Sequence, residues 1–409
     1  MPSHDSGRVA SVVVAALMTG LAACAGAAET GVPTLRWYVA DSSDYAALAR
    51  SCSDASEGAY RIELVEAPDG VAERRADLLR RSRADDDLDL IAVDTALTGD
   101  LAAAGLLADV PKKLREDFEN GRTEAALAAS TVDGRLATVP WWYEPQVLFS
   151  RGSAAERAGL DLSGGVGWDA LVTGAARIGG TVQIDATMAQ WVSALIVGAG
   201  SERAPGDPGD PAGPLSGAAA GVAAALVAAY AAAAVGPGPS EDAVSSFAAP
   251  GGSFLVAPIS ALSSAELRPV RAEVEVTAYP RASGEVEVAR TPLTGASLAV
   301  ADASDRREKA FAAIACLTGA EAQEMLALST GHLPTLQDTL KSEAVGEAVG
   351  ETELVSAAMA QGAPEPNSTE AFLVGQAVES TWLPLARVGG ATPAISAAEA
   401  RRLLDGGLL

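Results

Sequence analysis

Apolar and polar positions along the first third of the chain predict alternating strands and helices. Residues 60–65 alternate with a period of two, and residues 35–40 and 88–93 are further apolar-rich runs of strand length. Residues 44–55 and 71–83, which separate these runs, have the apolar spacing of amphipathic helices. The order strand, helix, strand, helix, strand predicts parallel strands with right-handed crossovers.

The rest of the chain predicts a few more strands and then mostly helices. Strands are predicted at residues 146–150, 253–258, 273–279 and 297–300, and Asp133-Gly134 is a turn signal. Helices are predicted near residues 98–104, 109–132, 169–177, 189–197, 305–317, 320–328, 351–361, 369–380 and 396–404. The Pro/Gly/Asp-rich residues 200–216 predict an irregular surface loop. This order suggests a chain that passes between two lobes more than once.

Residues 217–236 form a continuous run of small apolar side chains, dominated by alanine. A transmembrane helix is one interpretation of such a run. The other is an alanine-rich helix packed on a sheet, which we favour because alanine contributes little to membrane insertion.

The N-terminus has the layout of an export signal. A polar start with Arg8 precedes the apolar residues 9–17, which are too few for the ~20 residues of a spanning helix. Leu-Ala-Ala-Cys24 resembles the bacterial lipoprotein box, in which the cysteine thiol receives a diacylglyceryl group before cleavage. This predicts a mature chain beginning at Cys24, lipid-anchored on the outer face of the cytoplasmic membrane. A plain secretory signal cut nearby is the alternative.

The charge and the scarcity of histidine exclude several functions. With 29 Lys and Arg against 53 Asp and Glu, the net charge is −24, which argues against nucleic acid and against a polybasic membrane surface. The only histidines are His4 and His332, and no Cys/His metal cluster, Gly-x-Ser-x-Gly elbow or phosphate-binding loop occurs. We therefore expect no enzyme, cofactor or metal. A glycosidase pair of Asp94 with Glu144 stays open as a formal alternative.

Two cysteines remain after Cys24, at positions 52 and 316. A pair in an oxidising compartment suggests one disulfide, Cys52 with Cys316. Two separate buried thiols are the alternative.

Several segments, in order, resemble extracytoplasmic solute-binding proteins of carbohydrate ABC importers. Residues 88–94 (LDLIAVD) and 95–106 are similar to the family's third strand and following helix. Similar matches are DGRLATVP at 133–140, PLTGASLAV at 292–300, the helix from residues 310 to 317, and GHLPT at 331–335. The resemblance implies an α/β, two-lobed periplasmic-binding-protein fold of type II. Each lobe is then a mixed sheet flanked by helices, with the ligand cleft between the lobes.

Among relatives, the chain most resembles the actinobacterial trehalose-binding lipoproteins, which carry cysteines at the places of Cys52 and Cys316. It lacks the Glu and Trp that those proteins have near residues 254–258. The resemblance implies this division: signal peptide 1–23, tether 24–33, N-lobe 34–140, C-lobe 141–290, N-lobe return 291–340 and C-lobe helices 341–409.

The loops after the first and third strands are candidate ligand contacts, because ligands of open α/β sheets bind at the carboxyl ends of strands. Asp41 and Ser42 follow the first strand, and Asp94 and Thr95 follow the third. An acid that ends a buried strand needs a partner, and a pair of sugar hydroxyls would supply one. Capping of the following helices is the alternative for Asp41 and Asp94.

The third candidate segment is Trp141-Trp142-Tyr143-Glu144, a concentration of aromatic residues in a chain with six Trp and six Tyr. Aromatic faces stack on the C–H faces of sugars, and flanking acids bind the hydroxyls. Strand alternation places at least one of the aromatic residues in the core, and we expect this of Trp141 or Trp142. Two further candidates are Trp382, as a second stacking plate, and Gly295, which either admits close backbone approach to ligand or forms a turn.

We therefore expect a monomer that captures a monosaccharide or disaccharide, possibly of the trehalose type, and delivers it to ABC permease subunits. One alternative is a non-sugar solute, such as an amino acid, a peptide or an osmolyte, in the same fold. The other is a surface lipoprotein without a transport role.

The Cys24→Ala variant should leave the membrane fraction while remaining folded and able to bind ligand, because the attachment point is lost and the lobes are untouched. Cell fractionation and circular dichroism measure this, with Thr30→Ala in the predicted tether as the membrane-bound control. Retention of Cys24→Ala in the membrane fraction would contradict the anchor.

Overall fold

A computed structural model of the protein describes residues 31–84, 88–282 and 289–406. The predicted signal peptide and Cys24 lie outside the described residues. The strands are β1 Thr34–Val39, β2 Arg61–Glu66, β3 Leu90–Asp94, β4 Thr131–Val132, β5 Arg135–Leu136, β6 Val139–Arg151, β7 Val182–Ile184, β8 Phe254–Pro258, β9 Val274–Thr277, β10 Pro292–Val300 and β11 Ala363–Pro364.

Helices make up most of the remaining structure. The α-helices are α1 Ala46–Ala55, α2 Val71–Arg83, α3 Thr98–Ala103, α4 Lys112–Glu119, α5 Glu124–Ser130, α6 Ala154–Arg157, α7 Trp168–Arg177, α8 Met188–Gly198, α9 Ala218–Ala233, α10 Ala243–Ala248, α11 Arg307–Leu317, α12 Ala320–Thr330, α13 Gln337–Leu340, α14 Glu343–Val349, α15 Thr352–Gln361, α16 Ala371–Trp382 and α17 Thr392–Asp405. The 3-10 helices are Ser42–Tyr45, Thr95–Leu97, Gly213–Ser216, Ile259–Ser263, Arg268–Glu273 and Leu385–Arg387.

Apart from the separate β4-β5 pair, the strands form two mixed sheets that share β6, which gives the two-lobed periplasmic-binding-protein fold that the sequence predicts. The strand order is β2-β1-β3-β10-β6-β8-β7, with β9 also paired to β6 and β11 to β10. The predicted parallel unit is present, since β1 pairs parallel with both β2 and β3. The return strand β10 runs antiparallel to β3 and β6.

Strand β6 changes partner halfway along its length. Up to Pro145 it pairs with β10, and from Gln146 it pairs with β8. This change of partner lies a few residues beyond the predicted lobe boundary at residue 140, which stays a prediction. Two prolines within the run hid the first half of the strand from sequence analysis, because proline normally marks strand ends and edges.

Each lobe buries apolar side chains on both faces of its sheet. In the N-lobe, Trp37 and Phe311 lie in one cluster and Tyr38 and Leu101 in the other. In the C-lobe, the largest cluster contains Trp168, Trp191, Tyr230 and Trp382, and the opposite one contains Phe149 and Phe247. Apolar packing therefore covers both faces of each sheet.

The alanine-rich run forms α9, a helix of 16 residues whose Ala220, Ala223, Val227 and Tyr230 side chains are buried in the C-lobe. Across the described ranges, no single helix has both the length and the apolar character to cross a membrane. Helices α11 and α12 together are long and apolar enough for a membrane span, but the chain bends by 61° between them.

Other sequence expectations differ from the structure at local breaks. The helix predicted over residues 109–132 is two helices, α4 and α5, separated at Gly121, whose φ is +72°. The Asp133-Gly134 turn joins β4 to β5, with φ of 50° and 72°. Positive φ at both central residues is the geometry that Asn, Asp and Gly tolerate best.

Cys52 on α1 and Cys316 on α11 form a disulfide within the N-lobe, with Cα atoms 5.8 Å apart. The bond links positions 264 residues apart, so it ties the start of the N-lobe to its return segment. Closing so long a loop restricts the unfolded chain strongly.

The Cys52→Ala/Cys316→Ala variant should unfold at lower urea concentration than the wild type, with a loss of about 2–4 kcal/mol in the free energy of unfolding. Reductant should shift the wild-type curve in the same direction and leave the double variant unchanged. A wild-type curve that is insensitive to reductant would contradict the bond.

Candidate functional site

A cleft of about 590 Å³ lies between the two lobes. It is bounded by the carboxyl ends of β3 and β7, the middle of β6 and β10, and the N-termini of α2 and α8. Its volume is in the range of small-molecule sites. The polar and aromatic side chains that line it are Asp69, Glu73, Arg74, Asp94, Trp142, Gln146, Asp185, Thr187, Gln190, Ser240, Glu241, Thr294, Glu365, Gln376 and Glu379.

Asp94 ends β3 and lies on the N-lobe wall of the cleft, where the sequence predicts a ligand contact. Its carboxylate binds Arg74 in a bidentate pair, with both N–O distances 2.9 Å. Arg74 also donates to the carbonyl oxygens of Pro68 and Asp69. Burial opposes the charge of Arg74, but Asp94 outweighs it and raises the pKa of the guanidinium. The guanidinium of Arg74 therefore fixes the orientation of the Asp94 carboxylate and balances its charge, while the carboxylate oxygens can still accept hydrogen bonds.

Asp185 is the counterpart of Asp94 on the C-lobe wall, because it directly follows β7. Its backbone carbonyl accepts a hydrogen bond of 3.1 Å from the Gln146 side chain. Burial, and then the charges of Glu144 and Glu241, raise the pKa of the Asp185 carboxyl to about 6. Two strand-end acids therefore face the cleft, one from each lobe.

Glu365 and Glu379 add carboxyl groups from the C-terminal part of the chain. Gln190 donates to Glu365 at 3.2 Å, and the backbone N–H of Ala189 at the start of α8 donates to Glu379 at 3.0 Å. Burial raises the pKa of Glu365 to about 7, and that of Glu379 is also raised by burial. Gln190 is itself held by a capping box with Thr187. The helix start that lines the cleft is therefore rigid.

Trp142 is the aromatic side chain of the predicted trio that reaches the cleft. It is partly exposed, whereas Trp141 and Tyr143, its neighbours on β6, are 1% and 2% exposed. Trp141 packs against Trp37 and Tyr45 with ring centroids 5.3 Å and 4.9 Å away. The alternation expected of a strand thus leaves the Trp142 ring at the cleft and makes Trp141 and Tyr143 core residues.

Glu144 does not line the cleft, which corrects its assignment as a ligand contact. Its side chain is 1% exposed and accepts hydrogen bonds from the N–H and the hydroxyl of Ser260, at 3.0 Å and 2.8 Å. Nδ1 of His332 lies 2.9 Å from the same carboxylate. These three partners satisfy the buried charge without a ligand, so a catalytic pairing of Glu144 with Asp94 has no support in the geometry.

Trp382 is likewise misplaced as a second stacking plate. It is 0% exposed and packs in the main cluster of the C-lobe. Trp382 is the last residue of α16 and is not among the described residues that line the cleft.

Of four further candidates, Asp41, Ser42 and Thr95 are absent from the described lining of the cleft, and Gly295 borders it. Asp41 is exposed with φ 49°, and Ser42 bonds to Glu66; neither is among the described residues that line the cleft. The Thr95 hydroxyl is buried and donates to the Gly295 carbonyl at 3.1 Å. Gly295 does border the cleft, but a Cβ there would collide with the Trp142 carbonyl oxygen. Close approach of β10 to β6, within regular strand pairing, therefore requires glycine.

The cleft is strongly acidic. Its described lining has seven carboxyl side chains, from Asp69, Glu73, Asp94, Asp185, Glu241, Glu365 and Glu379. Arg74 is the only cationic side chain among the described residues of the lining, and it is committed to Asp94. Within the same described ranges, no group of His, Cys, Asp and Glu side chains is arranged to hold a metal ion.

Sequence reasoning missed Asp185, Gln146, Gln190, Glu365 and Glu379. Asp185 had a signal, since the rule that selected Asp94 also selects the residue after β7, but a strand of three residues is too short to show a period. The other four residues have no local sequence pattern that marks them, because they come from distant segments that meet at the cleft only in the folded protein.

The sequence profile of the family described as "Bacterial extracellular solute-binding protein" matches residues 47–350. The chain is also similar to the maltose-bound MalE3 protein of T. maritima, at 18% identity and a TM-score of 0.76, covering 90% of this chain and 99% of that one.

Two other solved structures are similar over comparable lengths. The GacH receptor of Streptomyces glaucescens, known unliganded and with acarbose, has 17% identity and a TM-score of 0.76, covering 91% of this chain and 98% of its own. UgpB of Mycobacterium tuberculosis, in complex with glycerophosphocholine, has 16% identity and a TM-score of 0.75, covering 91% and 98%. Likeness at these identities establishes the two-lobed fold.

The free energy of unfolding should fall as pH rises from about 4.5 to about 7, because folded Glu365 keeps a proton that the unfolded chain has already released. Glu365→Gln keeps an acceptor for Gln190 and should remove this part of the slope. At pH 8 the variant should be more stable than the wild type by about 2–3 kcal/mol.

Urea unfolding at a series of pH values measures this effect, with Glu353→Gln on an exposed site of α15 as the control. A Glu365→Gln profile parallel to the wild-type profile would contradict the burial of this carboxyl.

Proposed function

We propose that this chain, which belongs to the bacterial extracellular solute-binding protein family, captures a small uncharged sugar in its interlobe cleft. Membership in this family makes the chain a binding component of an ABC transporter that works outside the cytoplasm and does not transform its solute. The observation that carries the sugar proposal is the pairing of one aromatic plate, Trp142, with acceptor and amide side chains on both cleft walls.

The chemistry of the walls fits a polyol. Hydroxyl groups donate to carboxylates such as Asp94 and Asp185, and amides such as Gln376 both donate and accept. The apolar C–H face of a pyranose ring stacks on an indole. A ligand carboxylate would meet repulsion, because the one cleft arginine is already paired. The cleft volume of about 590 Å³ suits a monosaccharide or a disaccharide, trehalose included.

Delivery and anchoring complete the proposal. Closure of the lobes around the sugar by hinge motion would present the loaded protein to the permease subunits. We propose that residues 1–23 are the signal peptide, that Cys24 carries lipid, and that residues 24–33 tether a monomeric body to the membrane surface. The support is the Leu-Ala-Ala-Cys24 sequence, together with the extracellular setting of the family.

The acidic lining favours a cationic solute as the second candidate. Seven carboxyl groups against one paired arginine attract positive charge, and the face of Trp142 could hold a quaternary ammonium by a cation–π contact. The similar structure of UgpB was determined with glycerophosphocholine, which carries such a group. An osmolyte of this type would use the same cleft.

Calorimetry and thermal-shift assays with glucose, maltose and trehalose should detect binding of at least one of these sugars. The bound sugar should be recovered chemically unchanged after incubation with the protein. Trp142→Ala should weaken the binding by tenfold or more, about 1.4 kcal/mol, because the stacking surface is lost. Leu328→Ala, at an exposed position of α12, is the matched control and should bind as the wild type does.

The same assays with choline, glycine betaine and glycerophosphocholine test the second candidate. Binding to these solutes, with none to the sugars, would replace the sugar proposal by the cationic one. A folded protein that binds neither set would overturn both.

A further inference from the structure

We infer that His332 is a positioning residue that holds the Trp142 ring flat at the cleft wall, as part of a cluster formed by Trp142, Glu144, Ser260 and His332. The inference rests on the proposed function, in which the Trp142 ring stacks on the ligand, but the contacts of His332 do not depend on which solute binds. His332 follows α12 and is 188 residues away from Glu144 along the chain.

The imidazole of His332 lies parallel to the Trp142 ring. Their centroids are 4.0 Å apart, and the planes differ by 7°. One part of the indole surface is therefore covered by protein, while the remainder borders the cleft. An aromatic plate backed by a second flat ring cannot tilt in that direction without losing the stacked contact.

Glu144 fixes the orientation of the imidazole. Trp142 and Glu144 are two apart on β6, so their side chains leave the strand on the same face. An ionised carboxylate is only an acceptor, so the 2.9 Å contact between the Glu144 carboxylate and Nδ1 of His332 is a hydrogen bond in the tautomer with the hydrogen on Nδ1. The two bonds from Ser260 in turn hold the Glu144 carboxylate. The stack and the hydrogen bond together determine both the position and the plane of the imidazole.

The loop that carries His332 is also closely attached on both sides. Gly331 caps α12 with φ of +80°, and a Cβ there would lie 2.5 Å from the Ser263 hydroxyl and 3.0 Å from the Ser260 carbonyl oxygen. On the other side, the backbone of Pro334 forms an isolated antiparallel β-bridge with that of Trp142. The loop is thus packed against both the C-lobe 3-10 helix and the strand that passes between the lobes, at the level of the plate.

A preorganised plate binds more tightly than a mobile one, because less side-chain freedom is lost when ligand arrives. His332 should therefore affect affinity only through Trp142. Three replacements separate its two contacts: His332→Phe keeps a flat ring and loses the Glu144 bond, His332→Gln keeps a donor and loses the ring, and His332→Ala loses both.

The mature chain labelled with 5-fluorotryptophan gives a direct readout by ¹⁹F NMR without any ligand. The sequence has six tryptophans, and Trp142→Phe identifies the signal of Trp142. The other five are at most 2% exposed, so their signals report whether each variant is folded. In the wild type the Trp142 signal should be a single narrow line.

We expect His332→Ala to shift and broaden or split the Trp142 line, with the other five lines unchanged. His332→Phe should keep it narrower than His332→Gln does if stacking dominates, and the reverse order would assign the positioning to the hydrogen bond. A narrow, unshifted Trp142 line in His332→Ala, with folding intact, would overturn the inference.

A double-mutant cycle of His332→Ala and Trp142→Ala, with the affinity for maltose and trehalose measured by calorimetry, gives a second test. His332→Ala should weaken binding threefold to tenfold, and should weaken it no further in a chain that already carries Trp142→Ala. Fully additive losses would show that His332 acts without Trp142, against the inference. If neither sugar binds the wild type, the sugar proposal fails, while the NMR result still decides the positioning role.

Discussion

The antiparallel pairing of β6 with β10 and then with β8 is the constraint on which the rest of the structure depends. One continuous strand contributes to both sheets, and its register against β10, which shifts between Ala296 and Ser297, determines which side chains face a lobe core and which face the cleft. Trp141 and Tyr143 enter the cores, whereas Trp142 borders the cleft. Gly295 makes this pairing sterically feasible, because any side chain there would collide with the backbone of Trp142.

The same strand links the geometry of the site to the connection between the lobes. Glu144 and Gln146 lie at the point where β6 changes partner, and they bond to Ser260 and to the Asp185 carbonyl respectively, both in the C-lobe. In the proposed hinge motion, the lobes would move relative to each other on either side of this point. The aromatic plate thus lies next to the segment about which the lobes would close, and its orientation is coupled to contacts from both sides.

The carboxyl groups give the cleft its chemical character. Burial raises the pKa values of Asp185 and Glu365, which shows that these sites hold a negative charge poorly in the absence of a partner. Sugar hydroxyls would serve as hydrogen-bond partners, and a positive group would serve as a counter-charge. Asp94 differs, because Arg74 neutralises it within the protein. The two walls of the cleft are therefore electrostatically unlike, although each has an acid at a strand end.

Local periodicity was sufficient for most of the fold. Helix α2 matches its predicted bounds, and the parallel β1-β2-β3 unit follows from alternation and spacing, because these signals depend only on neighbours along the chain. The strand-end rule also placed Asp94 at the cleft wall. It did not find Asp185, since β7 has three residues and no measurable period.

By itself, then, the sequence determined the parallel β1-β2-β3 unit, most of the longer helices and the aromatic concentration at residues 141–143. Only the tertiary structure decided which aromatic side chain is the plate, because the register of β6 against β10 selects the face. It also decided that Trp382 is buried in the C-lobe core, that the Glu144 carboxylate is hydrogen-bonded within the protein, and that Glu365, Glu379 and His332 lie beside residues far from them in sequence. Such contacts join distant segments through packing of the two lobes, so no local pattern encodes them.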